Sequence, residues 1–85
     1  MQLNLVSPNK LFFSNKKVNS VSVVSTQGGL QILKGHSPLL TTLGRGFLKF
    51  YDTDKKDFFS YFVDGGYLEV SPKGDIFILA EKVES

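Results

Sequence analysis

His36 is the only histidine of the sequence, and Ser37 follows it directly. A serine beside a histidine invites the hypothesis of a hydrolase, in which the imidazole takes the proton of an attacking hydroxyl. Adjacent residues of an extended chain point to opposite faces, however, so these two side chains are poorly placed to share a proton. We therefore interpret His36 as a structural or loop residue, and the sequence predicts no catalytic residue and no enzyme activity.

The other polar motifs give little support for a metal or phosphate site. With no cysteine and one histidine, the chain lacks the roughly four ligands that zinc takes. Asp52, Asp54 and Asp57 resemble a calcium loop, but the string DTDKKD lacks the mid-loop glycine and final glutamate of an EF-hand. We interpret these aspartates as a charged hairpin tip. Gly44-Arg45-Gly46 lacks the spacing of a phosphate-binding loop and is interpreted as a tight bend before a strand at Phe47. Neither a metal nor a cofactor is expected.

Length and composition leave room for one small domain, residues 1–85. A hydrophobic content of 41% is too high for a disordered chain, and the formal net charge of +2 creates no strong field for polyanions. No apolar stretch approaches the ~20 residues that cross a bilayer, and the first residues do not resemble a signal peptide. We therefore expect a soluble intracellular chain, with residues 82–85 as a short frayed tail.

Apolar and polar residues alternate with a period of two in most segments, which predicts short β-strands and little or no helix. Residues 58–63 and 76–79 are apolar at nearly every position, as in strands buried on both faces. Turn residues separate the segments, with turns expected at residues 7–10, 27–29, 52–57, 64–66 and 71–75. The predicted fold is all-β, with roughly seven to ten short strands in two sheets or a flattened barrel.

Cations and aromatic residues are interleaved between Arg45 and Tyr51, as on the surface of an oligonucleotide-binding barrel. Binding of single-stranded nucleic acid is therefore an alternative function. Against it, a domain this small is expected to need Phe47 and Phe50 in its core, and three aspartates follow closely. Composition and spacing alone predict a non-enzymatic all-β interaction module and do not name its partner.

A family resemblance runs along essentially the whole chain. Residues 28–43, GGLQILKGHSPLLTTL, resemble the glycine-rich turn and the L-x-I-x-P-G-H-x-P-L-L-T block in the N-terminal domain of the epsilon subunit of F-type ATP synthases. Further segments match in the same order: residues 3–8 resemble L-x-V-V-S-P, residues 11–15 the bend x-x-F-S-G with Asn15 for glycine, residues 46–48 G-x-L, residues 65–70 G-G-F-L-E-V and residues 76–81 V-T-V-L-A-D. Lys34 and Asp64 depart from the usual proline and serine of the family.

The resemblance implies a ten-stranded flattened β-sandwich of the epsilon N-terminal type. In this family the domain belongs to the rotating central stalk of a proton-translocating ATP synthase and performs no chemistry. Its implied partners are the gamma subunit and the ring of membrane c subunits, without nucleic acid. It would meet the membrane only through the complex, at the cytoplasmic face of the bacterial inner membrane.

The resemblance also implies which residues meet each partner. The expected c-ring contacts lie in the glycine-rich turn and the neighbouring segment: Thr26, Gln27, Gly28, Gly29, Gln31, His36 and Ser37. The expected gamma contacts are Leu39, Leu40 and Thr41. Most epsilon subunits continue into a pair of C-terminal helices that regulate hydrolysis, whereas this sequence stops at Ser85. We therefore expect a coupling domain without the regulatory one.

Overall fold

The computed structural model describes residues 1–84, which form strands joined by tight turns and one short loop. Six strands follow one another along the chain: β1 Gln2–Ser7, β2 Lys10–Ser25, β3 Gly28–Leu33, β4 Leu39–Asp52, β5 Asp57–Val70 and β6 Ile76–Glu84. Residues 1–84 contain no helix, and so none long and apolar enough to cross a membrane. The all-β prediction is confirmed.

The six strands form one sheet that closes on itself. The strand order is β1-β6-β5-β4-β2-β3, and β1 pairs with β2 as well as with β6. The β1–β6 pair is parallel, with Leu3 opposite Ile76, and the other pairs are antiparallel. Closure gives a flattened barrel of 25 × 25 × 19 Å, in which β3 is an edge strand that pairs with β2 alone.

Inward-facing apolar side chains fill the barrel. Phe50 is the largest fully buried side chain, and its ring stacks on those of Phe59 and Tyr61 at centroid distances of 6.0 and 6.2 Å. The rest of the buried core consists of Leu3, Leu5, Val18, Val21, Val23, Ile32, Leu43, Leu48, Val63, Leu68, Val70, Ile76, Ile78 and Ala80. Close packing of such side chains makes the barrel stiff, since interior atoms have little free volume in which to move.

The expectation of ten strands is wrong, because several strands continue where the sequence suggested breaks. β2 has 16 residues, and β4 and β5 have 14 each. Gly44-Arg45-Gly46, interpreted as a bend before a strand, lies inside β4. Along β4 the buried positions change from odd at Leu43 to even at Leu48 and Phe50. A long strand that exchanges its inner and outer faces in this way resembles two short strands in sequence.

Gly65 and Gly66 produce the same exchange of faces in β5. Their φ angles are 77° and 129°, which glycine adopts without a steric penalty. The turn expected at residues 64–66 is wrong because pairing continues, with Gly66 opposite Leu43 on β4 and Ala80 on β6. A Cβ atom at Gly66 would collide with the carbonyl oxygen of Leu79, so only glycine lets β5 and β6 lie this close.

The remaining turn predictions are confirmed, at residues 8–9, 26–27, 53–56 and 72–74. Asn15 has a φ of 55° and so takes the left-handed conformation expected of the glycine it replaces in the resembling bend, although β2 runs on through it. Residues 82–84, expected to be part of a tail, belong to β6 and pair with β5, with Val83 opposite Val63. Ser85 lies outside the described residues.

Candidate partner-binding site

The β2–β3 turn carries four of the expected c-ring contacts, Thr26, Gln27, Gly28 and Gly29, and all four are exposed. Ser25 closes the turn with its hydroxyl group, which donates to the Gly28 carbonyl at 2.8 Å and accepts from the Gln27 amide N–H at 3.2 Å. Gly28 has a φ of 120°, a conformation that a side chain would strain. The exposed turn thus offers backbone amides and one glutamine side chain to solvent.

His36 and Ser37 lie in the β3–β4 loop, at the other end of β3 from this turn. Six strand residues separate the two ends, a span of about 20 Å at ~3.3 Å per residue. Gln31 is exposed between them on β3. The structure therefore does not gather the expected c-ring contacts into one cluster and instead distributes them along the edge strand.

The imidazole of His36 is held within its own loop. Its Nδ1 atom donates a hydrogen bond to the Ser37 carbonyl at 2.7 Å, because a carbonyl oxygen can only accept. The backbone N–H of His36 bonds to the Leu33 carbonyl at 3.0 Å. The interpretation of His36 as a structural or loop residue is confirmed, since it lies in the β3–β4 loop and its ring is hydrogen-bonded there.

The expected gamma contacts at the start of β4 face two different ways. Leu39 is half-buried and packs against the core, and Thr41 lies on the same inner face. Leu40 points outward with 70% of its surface exposed. Of the three residues, Leu40 is the only one that is largely exposed to solvent.

Leu40 belongs to an exposed apolar patch that the sequence reasoning missed. Tyr67 lies opposite Leu79 across the β5–β6 pair, and Glu69 lies opposite both Leu40 and Phe77. Side chains directly opposite on one face are about 5 Å apart, so these residues form one surface. We call Leu40, Tyr67, Phe77 and Leu79 the apolar patch; their exposed fractions are 70, 55, 46 and 53%.

The prediction that residues 76–79 and 58–63 are buried on both faces is wrong. In β6, Ile76 and Ile78 are buried while Phe77 and Leu79 face outward. Phe58 is also exposed, at 54%. A strand that is apolar on both faces in a chain too short to bury both is the signal that could have indicated this surface.

A second outer surface carries four aromatic rings on the β4–β5 hairpin, Phe47, Tyr51, Phe58 and Phe62, which we call the aromatic ladder. Phe47 meets Phe62 at 5.4 Å and Tyr51 meets Phe58 at 5.0 Å, both edge to face. Such cross-strand ring pairs stabilise a hairpin by about 1 kcal/mol each. The expectation that Phe47 belongs to the core is therefore wrong, since it is 63% exposed, whereas Phe50 is buried as expected.

Cations cover part of the aromatic ladder. Lys49 lies 5.0 Å from the Phe58 ring and Arg45 lies 5.8 Å from the Phe62 ring. Arg45 also pairs with Asp64 at 3.4 Å. Within residues 1–84 the rings of the apolar patch have no such neighbours, because Tyr67 and Phe77 take part in no ring pair and no cation contact. The rings of the aromatic ladder thus make ring and cation contacts within their own strands, whereas the rings of the apolar patch do not.

Asp52 organises the turn between β4 and β5. Its Oδ1 atom accepts the amide N–H groups of Asp54 and Lys55, both at 3.0 Å, and its Oδ2 atom accepts Lys16 Nζ at 3.1 Å. The Lys55 backbone N–H, followed by the Lys16 ammonium, lowers the pKa of the Asp52 carboxyl below 3.8, although burial acts in the opposite direction. The charged hairpin tip predicted here is confirmed.

Two open clefts lie on the surface of residues 1–84. An open cleft of about 490 Å³ lies between the β3–β4 loop and the β5–β6 turn and is lined by residues 34–38 and 72–74, which include His36 but no carboxylate. A smaller cleft of about 270 Å³ lies beside Asp52. Among residues 1–84 no three histidine, aspartate or glutamate side chains are close enough to hold a metal ion.

The family model of the ATP synthase delta/epsilon chain β-sandwich domain matches residues 1–85. The chain belongs to this family. It is 38% identical over 74 residues to the ATP synthase epsilon chain of Bdellovibrio bacteriovorus, covering 87% of this chain and 53% of that one. It is 43% identical over 70 residues to the epsilon chain of Chlorobium limicola, covering 82% and 77%. The resemblance found in the sequence is confirmed.

Solved structures of ATP synthases contain the same fold as this delta/epsilon family member. A chain of the Euglena gracilis mitochondrial ATP synthase superposes with a TM-score of 0.88 over 98% of this chain and 51% of that one, at 19% identity. A chain of the central stalk and c-ring structure from Tetrahymena thermophila gives 0.81 over 96% and 63%, also at 19% identity. The present chain thus spans about half the length of several of its relatives.

Proposed function

We propose that this chain is a non-catalytic rotor subunit of the central stalk in a proton-translocating F-type ATP synthase. It links the gamma subunit to the c-ring and so couples ion flow to ATP synthesis. The observation that carries the proposal is the match of the delta/epsilon family over residues 1–85, on a barrel whose surface bears an unpaired apolar patch. A subunit of this kind needs a stiff body and two contact surfaces, and it needs no reactive side chain.

The apolar patch is the gamma-binding surface in this proposal. Its four side chains bury apolar area when a partner covers them, which favours association by about 25 cal/mol per Å². The aromatic ladder is a poorer surface for gamma because its rings already pair with each other and with cations. Leu40 is the patch residue that the sequence predicts to contact gamma.

The exposed β2–β3 turn, edge strand and β3–β4 loop form the c-ring surface in this proposal. Backbone amides of the turn and the side chains of Gln27 and Gln31 offer hydrogen bonds to polar loops of the ring. Such a subunit would lie at the cytoplasmic face of the bacterial inner membrane, as a peripheral part of the complex. The bacterial epsilon chains among its relatives support this location.

Association with gamma tests the proposal directly. The chain and purified gamma are mixed at micromolar concentrations and separated by size exclusion, at low salt and again at about 0.3 M salt. An apolar interface survives the added salt because charge screening does not weaken it, whereas nucleic-acid binding falls steeply. Absence of a complex with gamma at both salt concentrations would overturn the proposed function.

The alternative of single-stranded nucleic acid binding has no support from the relatives. A parallel salt titration with a single-stranded oligonucleotide distinguishes the two functions. Binding that weakens steeply with salt, in a chain that ignores gamma, would favour the alternative instead.

A further inference from the structure

Thr42 connects the β2–β3 turn to β4. The backbone N–H of Thr26, the first residue of the turn, donates to the Thr42 carbonyl at 3.1 Å. The two side-chain hydroxyl groups share a second hydrogen bond, with 2.6 Å between their Oγ1 atoms. The turn is therefore joined to β4 at two points through one residue.

These bonds lie where regular strand pairing is interrupted. β2 and β4 pair as Val21 with Phe50 and Ser22 with Lys49, but the register shifts before Ser25 meets Leu43. The end of β2 is therefore not held by an unbroken ladder. The internal bonds of Ser25 close the turn, and the Thr26–Thr42 contact extends the Ser25–Leu43 pairing by one residue and so joins the turn itself to β4.

Thr42 follows Leu40 by two residues on β4, so both lie on the same outer face of the strand. Thr42 is also directly opposite Tyr67 on β5. It thus stands between the turn and the apolar patch. We propose that Thr42 is a positioning residue that holds the β2–β3 turn in a fixed orientation relative to the apolar patch. The proposal rests on the proposed function, in which the turn meets the c-ring and the patch meets gamma.

The physical consequence concerns how the turn binds. An exposed turn that samples several orientations binds less tightly, because the ordering entropy must be lost on association. A neutral hydrogen bond contributes about 1 kcal/mol, which corresponds to roughly a fivefold change in an equilibrium constant. Loss of the Thr42 hydroxyl is therefore expected to weaken c-ring binding about fivefold and to affect gamma binding less, because Thr42 borders the apolar patch without belonging to it.

The test compares Thr42→Val, which keeps the side-chain shape and removes the hydroxyl, with Thr42→Ser, which keeps the hydroxyl. Thr53→Val is the matched control, because the Thr53 hydroxyl makes a comparable exposed bond to Asn19 Oδ1 at 3.1 Å, at the β4–β5 turn. Amide hydrogen exchange of residues 27–29 is measured in the free chain. Affinity is measured for detergent-solubilised c-ring and for purified gamma.

We expect Thr42→Val to speed exchange of the turn amides and to weaken c-ring binding, each about fivefold, with a smaller effect on gamma affinity. Thr42→Ser is expected to restore both, and Thr53→Val to change neither. Unchanged turn exchange in Thr42→Val, or c-ring affinity equal to that of the unaltered chain, overturns the positioning role alone. If the unaltered chain itself fails to bind the c-ring, the c-ring contact of the proposed function fails, and the role of Thr42 fails with it.

Discussion

Replacement of Leu40 by alanine tests the assignment of the apolar patch to gamma. Full burial of a leucine side chain is worth about 1.5–3 kcal/mol, and 70% of the Leu40 surface is still exposed in the free chain. If gamma covers that fraction, Leu40→Ala loses about 1–2 kcal/mol of binding free energy, which is roughly a 5- to 30-fold rise in Kd. Folding stability should hardly change, because the side chain is outside the core.

Isothermal titration calorimetry with purified gamma measures the loss, and thermal unfolding of the free variant checks its stability. Leu33→Ala is the matched control, since Leu33 is 51% exposed and lies on β3, which pairs with β2 alone. It should bind gamma like the unaltered chain. The reasoning is refuted if Leu40→Ala binds gamma with unchanged affinity, or if both leucine variants weaken binding equally.

Two further predictions concern folding. Gly66→Ala should lower the free energy of unfolding by about 2–4 kcal/mol, because it adds a collision with the Leu79 carbonyl to the strain of a positive φ. Gly74→Ala is the control, since it adds the strain alone and should cost about 1 kcal/mol. Urea unfolding measures both losses, and equal losses would contradict the close approach of β5 and β6. The interactions that lower the pKa of Asp52 stabilise the fold above pH 3.8, and this contribution is lost as the pH falls through the folded-state pKa below 3.8. The stability of Asp52→Asn, measured by unfolding at a series of pH values, should therefore depend less on acid than that of the unaltered chain. Identical pH profiles would show that the carboxylate has no such role.

The fold class followed from the sequence because its signals are local. A period of two marks a strand wherever one face is buried, and residues such as Pro8 and Asn9 in the first turn have conformational preferences of their own. The number of strands could not be predicted, because a Gly-Gly pair such as Gly65-Gly66 is equally compatible with a turn and with a strand that exchanges its faces. Only the register with Leu43 and Ala80 distinguishes the two.

The expected partner contacts could likewise be predicted only in part from the sequence. Residues of the β2–β3 turn were placed correctly on the surface because a glycine-rich turn is exposed in almost any fold. The three residues at the start of β4 could not be ranked, because alternation puts Leu39 and Leu40 on opposite faces but does not say which face is inside. Tyr67 joins Leu40 through a strand pairing between residues distant in sequence, which periodicity does not reveal.

Exposure alone does not identify a partner surface in so small a barrel. Nine large hydrophobic side chains are exposed among residues 1–84, because a chain of this length cannot bury all its apolar residues. The exposed surfaces differ in the ring and cation contacts that their side chains already make within the chain. Phe47 and Phe58 have ring partners across the β4–β5 pair, whereas Tyr67 and Phe77 have neither ring nor cation beside them. A partner can therefore cover Tyr67 and Phe77 without disturbing a ring or cation contact, and the Leu40 and Leu33 variants compare this patch with an exposed leucine outside it.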